Sequence, residues 1–332
     1  MNIYDIAALA GVSIATVSRV VNDSPKVSEK TKEKVRAVME EQNYTPNVFA
    51  RGLGLNSMHT VGIVCPDVSD AYMANAVAHL EKHLKKYGYD CILACSGYEY
   101  EDKVNAIQRI LQKRIDALIL VGSNYAGDGE DCNTSYLNQA ASEVPVFLMN
   151  GYLSCPGVYC VLSDGYQIVY DMVSELIAAG RKRILFLYDS NSYSASEKRR
   201  GYEDALKENN IPVLEELEVF GQNKVLKVRD MLLKRNLQNF DAVLATDDGL
   251  AVGALKYVRE LGYSIPQEVN IIGFNDSELA VCCEPELSSV DNRGELLCST
   301  IVESMNQLLT GHSIQQKKVV PCYLVKRKTT NF

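Results

Sequence analysis

The sequence predicts a small all-α helix-turn-helix headpiece followed by an α/β body of two parallel-sheet lobes. Three observations carry this. The first forty-odd residues show helical periodicity and N-cap signals, with no strand-like run. From His59 onward, apolar runs of strand length alternate with amphipathic stretches, the pattern of parallel sheets wrapped by helices. The strand candidates number about twelve, too many for one comfortable open sheet and right for two of about six. The length, 332 residues, likewise exceeds one ordinary core.

Ile3, Ile6, Leu9 and Ala10 are spaced to give a first helix one apolar face. Gly11 falls where the chain must turn sharply. Ser13 is placed to cap a second helix, because its hydroxyl can accept a free backbone N–H. Val17, Val20 and Val21 give that helix a buried stripe; Ile14, Ala15, Ser18, Arg19 and Asn22 fall largely outside it. An apolar corner with a small, polar and basic outer face is what a helix-turn-helix requires. Ser24-Pro25-Lys26 is a turn, and Ser28 is placed to cap a third helix. Val35, Val38 and Met39 then close a three-helix core, Tyr44 plugs it, and Pro46 ends the unit.

These residues carry a close resemblance. Tyr4-Asp5-Ile6-Ala7, Ala10-Gly11-Val12-Ser13 and Ala15-Thr16-Val17-Ser18-Arg19-Val20-Val21-Asn22 follow one another in order. Val27-Ser28, Thr31, Val35 and Asn43-Tyr44-x-Pro46-Asn47 continue the string. The stretch resembles the headpiece of the LacI/GalR family of bacterial transcriptional regulators, and the likeness runs more loosely beyond about residue 60. The resemblance implies double-stranded operator DNA as a partner, with contacts from Ser13, Ile14, Ala15, Thr16, Ser18, Arg19, Asn22 and Lys26. Arg19 is the basic residue of the outer face, and Arg is the usual bidentate partner of guanine. The likeness also implies a homodimer, since one helix-turn-helix reads too few bases and two read a pseudo-palindrome.

The family carries a hinge helix next, and Asn47, Ala50, Arg51 and Leu53 match it, with Leu53 at the position that wedges into the minor groove. Two turns of helix are too short to stand alone, and Gly52 and Gly54 weaken them further. The residues alone favour a plain flexible linker, whereas the resemblance implies a hinge helix that is loose in the free protein and forms on DNA. The domain expectation is a headpiece over 1–46, a hinge over 47–57 and a body over 58–332. The family's periplasmic-binding-protein-like architecture places about 60–161 and 291–320 in one lobe, and about 162–290 with 321–332 in the other.

Within the body the strand candidates include Thr60–Pro66, Asp90–Cys95, Ala117–Gly122, Val144–Met149, Ile184–Tyr188, Ala242–Thr246 and Val269–Phe274. The helical stretches include Ala71–Tyr87, Asp102–Gln112, Tyr166–Ala179, Tyr202–Asn209 and Leu250–Leu261. Ligands of parallel sheets bind beyond the carboxyl ends of strands. Those ends carry Asp70 and Tyr72, Ser123, Asn150, Ser192 and Ser194 in the loop 189–194, Asp247, and Asn275. Polar groups, glycine and one aromatic converging from two lobes suit a hydroxylated small molecule such as a sugar. Asp248 is the expected helix cap at its strand end. Against the family pattern, Lys198 stands where an Arg is common, three residues before Gly201-Tyr202. Asn275 replaces an acid after Gly273-Phe274, and Asn150 replaces an Asp. A bidentate fork has become a point charge and two acceptors have become amides, so the effector's identity does not carry over.

Charge and composition agree. The net charge is −8, but residues 1–60 hold seven Lys and Arg against six Asp and Glu, so the acidity lies in the body. That suits local contact with phosphate by a head whose body repels it. The N-terminus has no basic segment followed by an apolar run, and no stretch approaches ~18 apolar residues, so a cytoplasmic protein without membrane contact is expected. The ten cysteines lack metal spacing and read as buried free thiols; no metal or cofactor is expected. No Gly-x-Ser-x-Gly, P-loop or His-Glu-x-x-His occurs, and Gly127-x-Gly129 opens no helix, so no catalytic residues are expected. The function the resemblance implies is a regulator, a repressor, under an interlobe small-molecule effector. The alternatives are a global carbon-catabolite regulator answering a phosphorylated carrier protein and, further off, a sugar-binding transport protein.

Overall fold

A computed structural model of the chain describes residues 1–44, 57–127 and 133–332. Three helices open it: α1 (Ile3–Ala10), α2 (Ile14–Val21) and α3 (Glu29–Glu41). Asn2 caps α1 with a reciprocal box, its Oδ1 accepting from Tyr4 N–H at 2.9 Å while Asp5 Oδ2 accepts from Asn2 N–H at 2.8 Å. Gly11 ends α1 at φ +62°, left-handed backbone that favours glycine. Ser13 and Ser28 cap α2 and α3, as expected. The core is Ile6, Ala7, Ala10, Val17, Val20 and Val35, with Ile3, Val21, Val38, Met39 and Tyr44 packed on it. One position departs from the sequence reading: Leu9 is 55% exposed and Ala7 is buried. Six residues on from Ile3 is about 240° round the helix, off the buried arc, whereas Ala7 lies one turn on. Lys32 is also buried, its ammonium held by Asp23 at 3.1 Å and Glu29 at 2.8 Å.

Among the described residues the body has two six-stranded sheets. The first contains β1 (Thr60–Cys65), β2 (Asp90–Cys95), β3 (Ala117–Val121), β4 (Val146–Met149), β5 (Val158–Ser163) and β11 (Lys317–Val320), in the order β11-β5-β4-β3-β1-β2. All its pairs are parallel. The second contains β6 (Ile184–Tyr188), β7 (Glu218–Phe220), β8 (Ala242–Ala245), β9 (Asn270–Phe274), β10 (Ser288–Asp291) and β12 (Tyr323–Val325), in the order β12-β10-β9-β8-β6-β7. Only β12 runs antiparallel to its neighbour. The chain therefore passes between the lobes after β5, after β10 and between β11 and β12.

Helices cover both faces of each sheet: α4 (Ala71–Lys86), α5 (Tyr100–Leu111), α6 (Ser135–Glu143) and α12 (Gly294–Leu309) in lobe 1. In lobe 2 they are α7 (Gly165–Ala178), α8 (Tyr193–Glu208), α9 (Val225–Arg235), α10 (Asp248–Glu260) and the short α11 (Glu278–Cys282). Central strands such as Ala117–Val121 are buried throughout, which is why they read as unbroken apolar runs. Helix α8 begins nine residues before the expected Tyr202, so the expected loop to Ser194 ends at Ser192. Of the described cysteines, Cys65, Cys160 and Cys298 are buried, Cys95 and Cys282 are exposed and the rest lie between, a departure from uniform burial. All are free thiols. No single helix among the described residues is long and apolar enough to cross a membrane.

Candidate DNA-reading face and interlobe cleft

Helix α2 turns Val17 and Val20 inward and leaves Ile14, Ala15 and Arg19 exposed. Ser13 is exposed as well, but its hydroxyl is engaged: it accepts from Thr16 N–H at 3.1 Å and lies 2.9 Å from Thr16 Oγ1. Thr16, Ser18 and Asn22 are half-buried, and Lys26 is exposed in the turn beyond. The Asn22 amide oxygen is buried, and among the described residues it has no hydrogen-bond partner. The free face is thus Ile14, Ala15 and Arg19, apolar at the start of the helix and cationic one turn on. Asn47, Ala50, Arg51 and Leu53 lie outside the described residues.

Between the lobes lies a cavity of about 1110 Å³. Asp70, Tyr72, Asp247 and Asn275, four of the nine residues expected there, line it. Asp70 caps α4 by accepting from Met73 N–H at 3.1 Å. Asp247, not the expected Asp248, caps α10, its Oδ1 accepting from Gly249 N–H at 2.7 Å. Asp248 is instead sealed in lobe 2, accepting from Ser277 N–H at 2.7 Å and from the hydroxyls of Ser277 and Ser289 at 2.8 and 2.5 Å. Burial pushes its carboxyl up to about 6. Asn275 stands at φ +97°, and its amide donates to Asp247 Oδ2 at 2.8 Å while accepting from Asn292 at 2.7 Å. Asn223 and Asn292 also line the cleft, and the strand-end search did not single them out. They sit after β7 and β10, whose ends it did not include.

The other five lie off the main cavity. Asn150 and Ser194 border a separate pocket of about 230 Å³. Asn150, at φ +61°, donates to Tyr72 Oη at 2.7 Å and accepts from Ser163 N–H at 2.7 Å, which ties the cleft wall to the first crossing strand. Ser123 in lobe 1 and Ser192 in lobe 2 meet directly at 2.8 Å. Lys198 is buried, with its ammonium 3.6 Å from the centre of the Phe274 ring and donating to Thr246 O at 3.3 Å. Burial lowers its pKa, against the pull of Asp189 and Asp247. Those two acids are pushed up, each chiefly by burial, Asp189 to about 6. Among the described residues no group of three or more His, Cys, Asp or Glu is placed to hold a metal.

Residues 2–47 match the family of bacterial regulatory proteins described as the lacI family, and residues 173–330 match a periplasmic binding protein-like domain. An HTH-type transcriptional regulator of Lachnoclostridium phytofermentans is 50% identical, with all of both chains covered. A lac repressor dimer bound to operator and the anti-inducer ONPF is similar in structure: TM-score 0.87, 27% identity, 99% of this chain and 98% of that one. The complex of the transcriptional regulator CelR with cellobiose is similar at a TM-score of 0.71 and 25% identity, covering 99% of this chain and all of that one. The three-helix head, the two parallel-sheet lobes and these likenesses agree: the chain belongs to the LacI family of bacterial regulatory proteins and is a transcriptional regulator.

Proposed function

We propose that the protein is a cytoplasmic, sequence-specific DNA-binding repressor, without catalytic activity, that binds a pseudo-palindromic operator as a homodimer. A small-molecule effector of the sugar class controls it from the interlobe cleft. The observation that carries this is the union, in one chain, of an exposed Ile14-Ala15-Arg19 face on α2 with a cavity of about 1110 Å³ between two lobes. The working division is a headpiece over 1–46, a hinge over 47–57 and a body over 58–332. Helix α2 enters the major groove in each half-site, with Ser13, Thr16, Ser18, Asn22 and Lys26 flanking the reading face. Asn47, Ala50, Arg51 and Leu53 contribute contacts at the operator centre. Asp70, Tyr72, Asp247 and Asn275 meet the effector, while Ser123, Ser192, Asn150, Ser194 and Lys198 shape the wall and hinge around it.

Operator selection from random DNA, followed by titration of the selected site, tests the reading. Arg19→Ala is expected to weaken the selected site by about 1–3 kcal/mol and to relax preference at one base pair per half-site. An equal loss on selected and random DNA would reduce Arg19 to a phosphate contact. Failure to enrich any sequence would refute the reading as a whole.

A further inference from the structure

Three neighbouring strands of lobe 2 end in a row; Asp247 and Asn275, beyond two of them, line the cleft, and Asp189, beyond the third, adjoins them without being among its lining residues. β6 and β8 pair with Leu187 opposite Ala245, and β8 and β9 with Leu244 opposite Ile272. The ladder continues past the strand, since Thr246 N–H donates to Leu187 O at 2.9 Å. The same register sets Asp189 beside Asp247, and Asp247 beside Asn275, on backbones about 4.8 Å apart. The hydrogen bond from Asn275 to Asp247 is independent evidence for the second pairing.

These side chains are unequally served. Asp247 accepts from Gly249 N–H and from Asn275. Among the described residues, the Asp189 carboxylate accepts only from its own backbone N–H. The cation near it, Lys198, is engaged elsewhere: its stem lies against Gly165 and its ammonium on the Phe274 ring and Thr246 O. At the same strand end Thr246 is 6% exposed, and its buried hydroxyl has no partner among the described residues. Asp70 on the opposite lobe adds a repulsive charge to both acids. Of the cations that line the cleft, Arg327 is held by Asp276 at 2.6 Å, and Lys224 and Arg293 are solvent-exposed.

We infer that Asp189 is an effector-binding residue, and that the Asp189–Asp247 pair makes the cleft select a polyhydroxylated ligand without an anionic group, neutral or amine-bearing, over a sugar phosphate or sugar acid. The inference rests on the effector-controlled reading proposed above. A part-buried carboxylate lacking donors is held at a cost. A ligand hydroxyl or ammonium supplies the missing donor through a charge-assisted hydrogen bond. An anion instead brings a third negative charge against two part-buried ones, which are screened less than charges in bulk water. Lys198 offsets only part of the charge of the two acids, and reaching the ligand would strip its ammonium from the Phe274 ring and the Thr246 carbonyl.

The test uses the full chain, calorimetry and thermal shift, with cellobiose and other neutral sugars, glucosamine, glucose 6-phosphate and glucuronate as probes. A neutral or amine-bearing sugar is expected to bind, and Asp189→Asn to weaken it on the order of 10–100-fold. The variant should melt no lower than wild type and should gain relative affinity for glucose 6-phosphate, which a merely structural role for Asp189 would not produce. Anionic probes binding as tightly as neutral ones, or Asp189→Asn leaving affinity unchanged, overturn the inference and leave the effector reading standing. If no probe of either class binds, the effector reading falls and the inference with it.

Discussion

Asp189 and Asp248 leave the same sheet of lobe 2, both with carboxyls pushed up to about 6, and they differ in what surrounds them. Asp248 is buried first and then partly compensated by the serine hydroxyls that donate to it. Asp189 is buried and further raised by Asp247 and Asp70, with Lys198 opposing. The sign for stability follows from the direction of the shift. An unfolded Asp ionises near 3.9, so below about pH 4 both states are protonated and no penalty exists. Between pH 4 and 6 the unfolded chain loses its proton first, and stability falls as pH rises. Above about 6 the penalty is complete, on the order of 1–3 kcal/mol for one such group. Asp189→Asn removes that penalty for one acid alone. The melting temperature of the variant should therefore exceed that of wild type by a margin that widens from pH 5 to pH 7. A margin that is constant across that range would show that Asp189 titrates normally.

The helices show what the residue pattern reveals and what it hides. α2 and α3 were legible because caps and stripe coincide: Ser13 and Ser28 precede helices whose valines recur at helical spacing. The first half of α8 was not legible, because its buried face is Ala195, Lys198 and Gly201, small or charged residues that show no hydrophobic stripe. The strand-end rule found Asp70, Tyr72, Asp247 and Asn275 in the cleft. It could not place Asn150, whose left-handed backbone sets its side-chain direction, nor Lys198, whose stem is threaded past Gly165. Gly201 itself exists for packing. A Cβ there would stand 2.4 Å from Tyr166 O and 3.2 Å from Tyr170 N, both backbone atoms of α7. Gly201→Ala should force α7 and α8 apart and destabilise the protein by about 1–3 kcal/mol, despite alanine's better helix propensity. Urea denaturation checks it: an unchanged or higher midpoint would mean that the two helices separate without resistance.

At the scale of the whole molecule, the question is how a cleft in the body reaches a headpiece that reads DNA. A ligand shifts an equilibrium only by its differential affinity for two states, so the lobes must take two arrangements with different consequences for the hinge segment. Besides the three crossings, two contacts join the lobes at one edge of the cleft. Ser123 Oγ of lobe 1 donates to Ser192 Oγ of lobe 2 at 2.8 Å, and the Tyr193 ring at the start of α8 lies 5.7 Å from that of Tyr152. A rotation of one lobe on the other whose axis does not pass through the serine pair stretches it, which makes it a place to arrest the motion. Ser123→Cys with Ser192→Cys brings two thiols close enough for a disulfide, and oxidation should fix the lobes in the arrangement described. The locked protein should bind operator with an affinity that no longer changes when effector is added, and reduction with dithiothreitol should restore the response. Ser123→Cys alone controls for oxidation of the exposed Cys95 and Cys282. Because coupling between sites is reciprocal, operator should also cease to alter effector affinity in the locked form. A locked protein that still releases operator on effector binding would show that the signal leaves the cleft by a route other than lobe rotation.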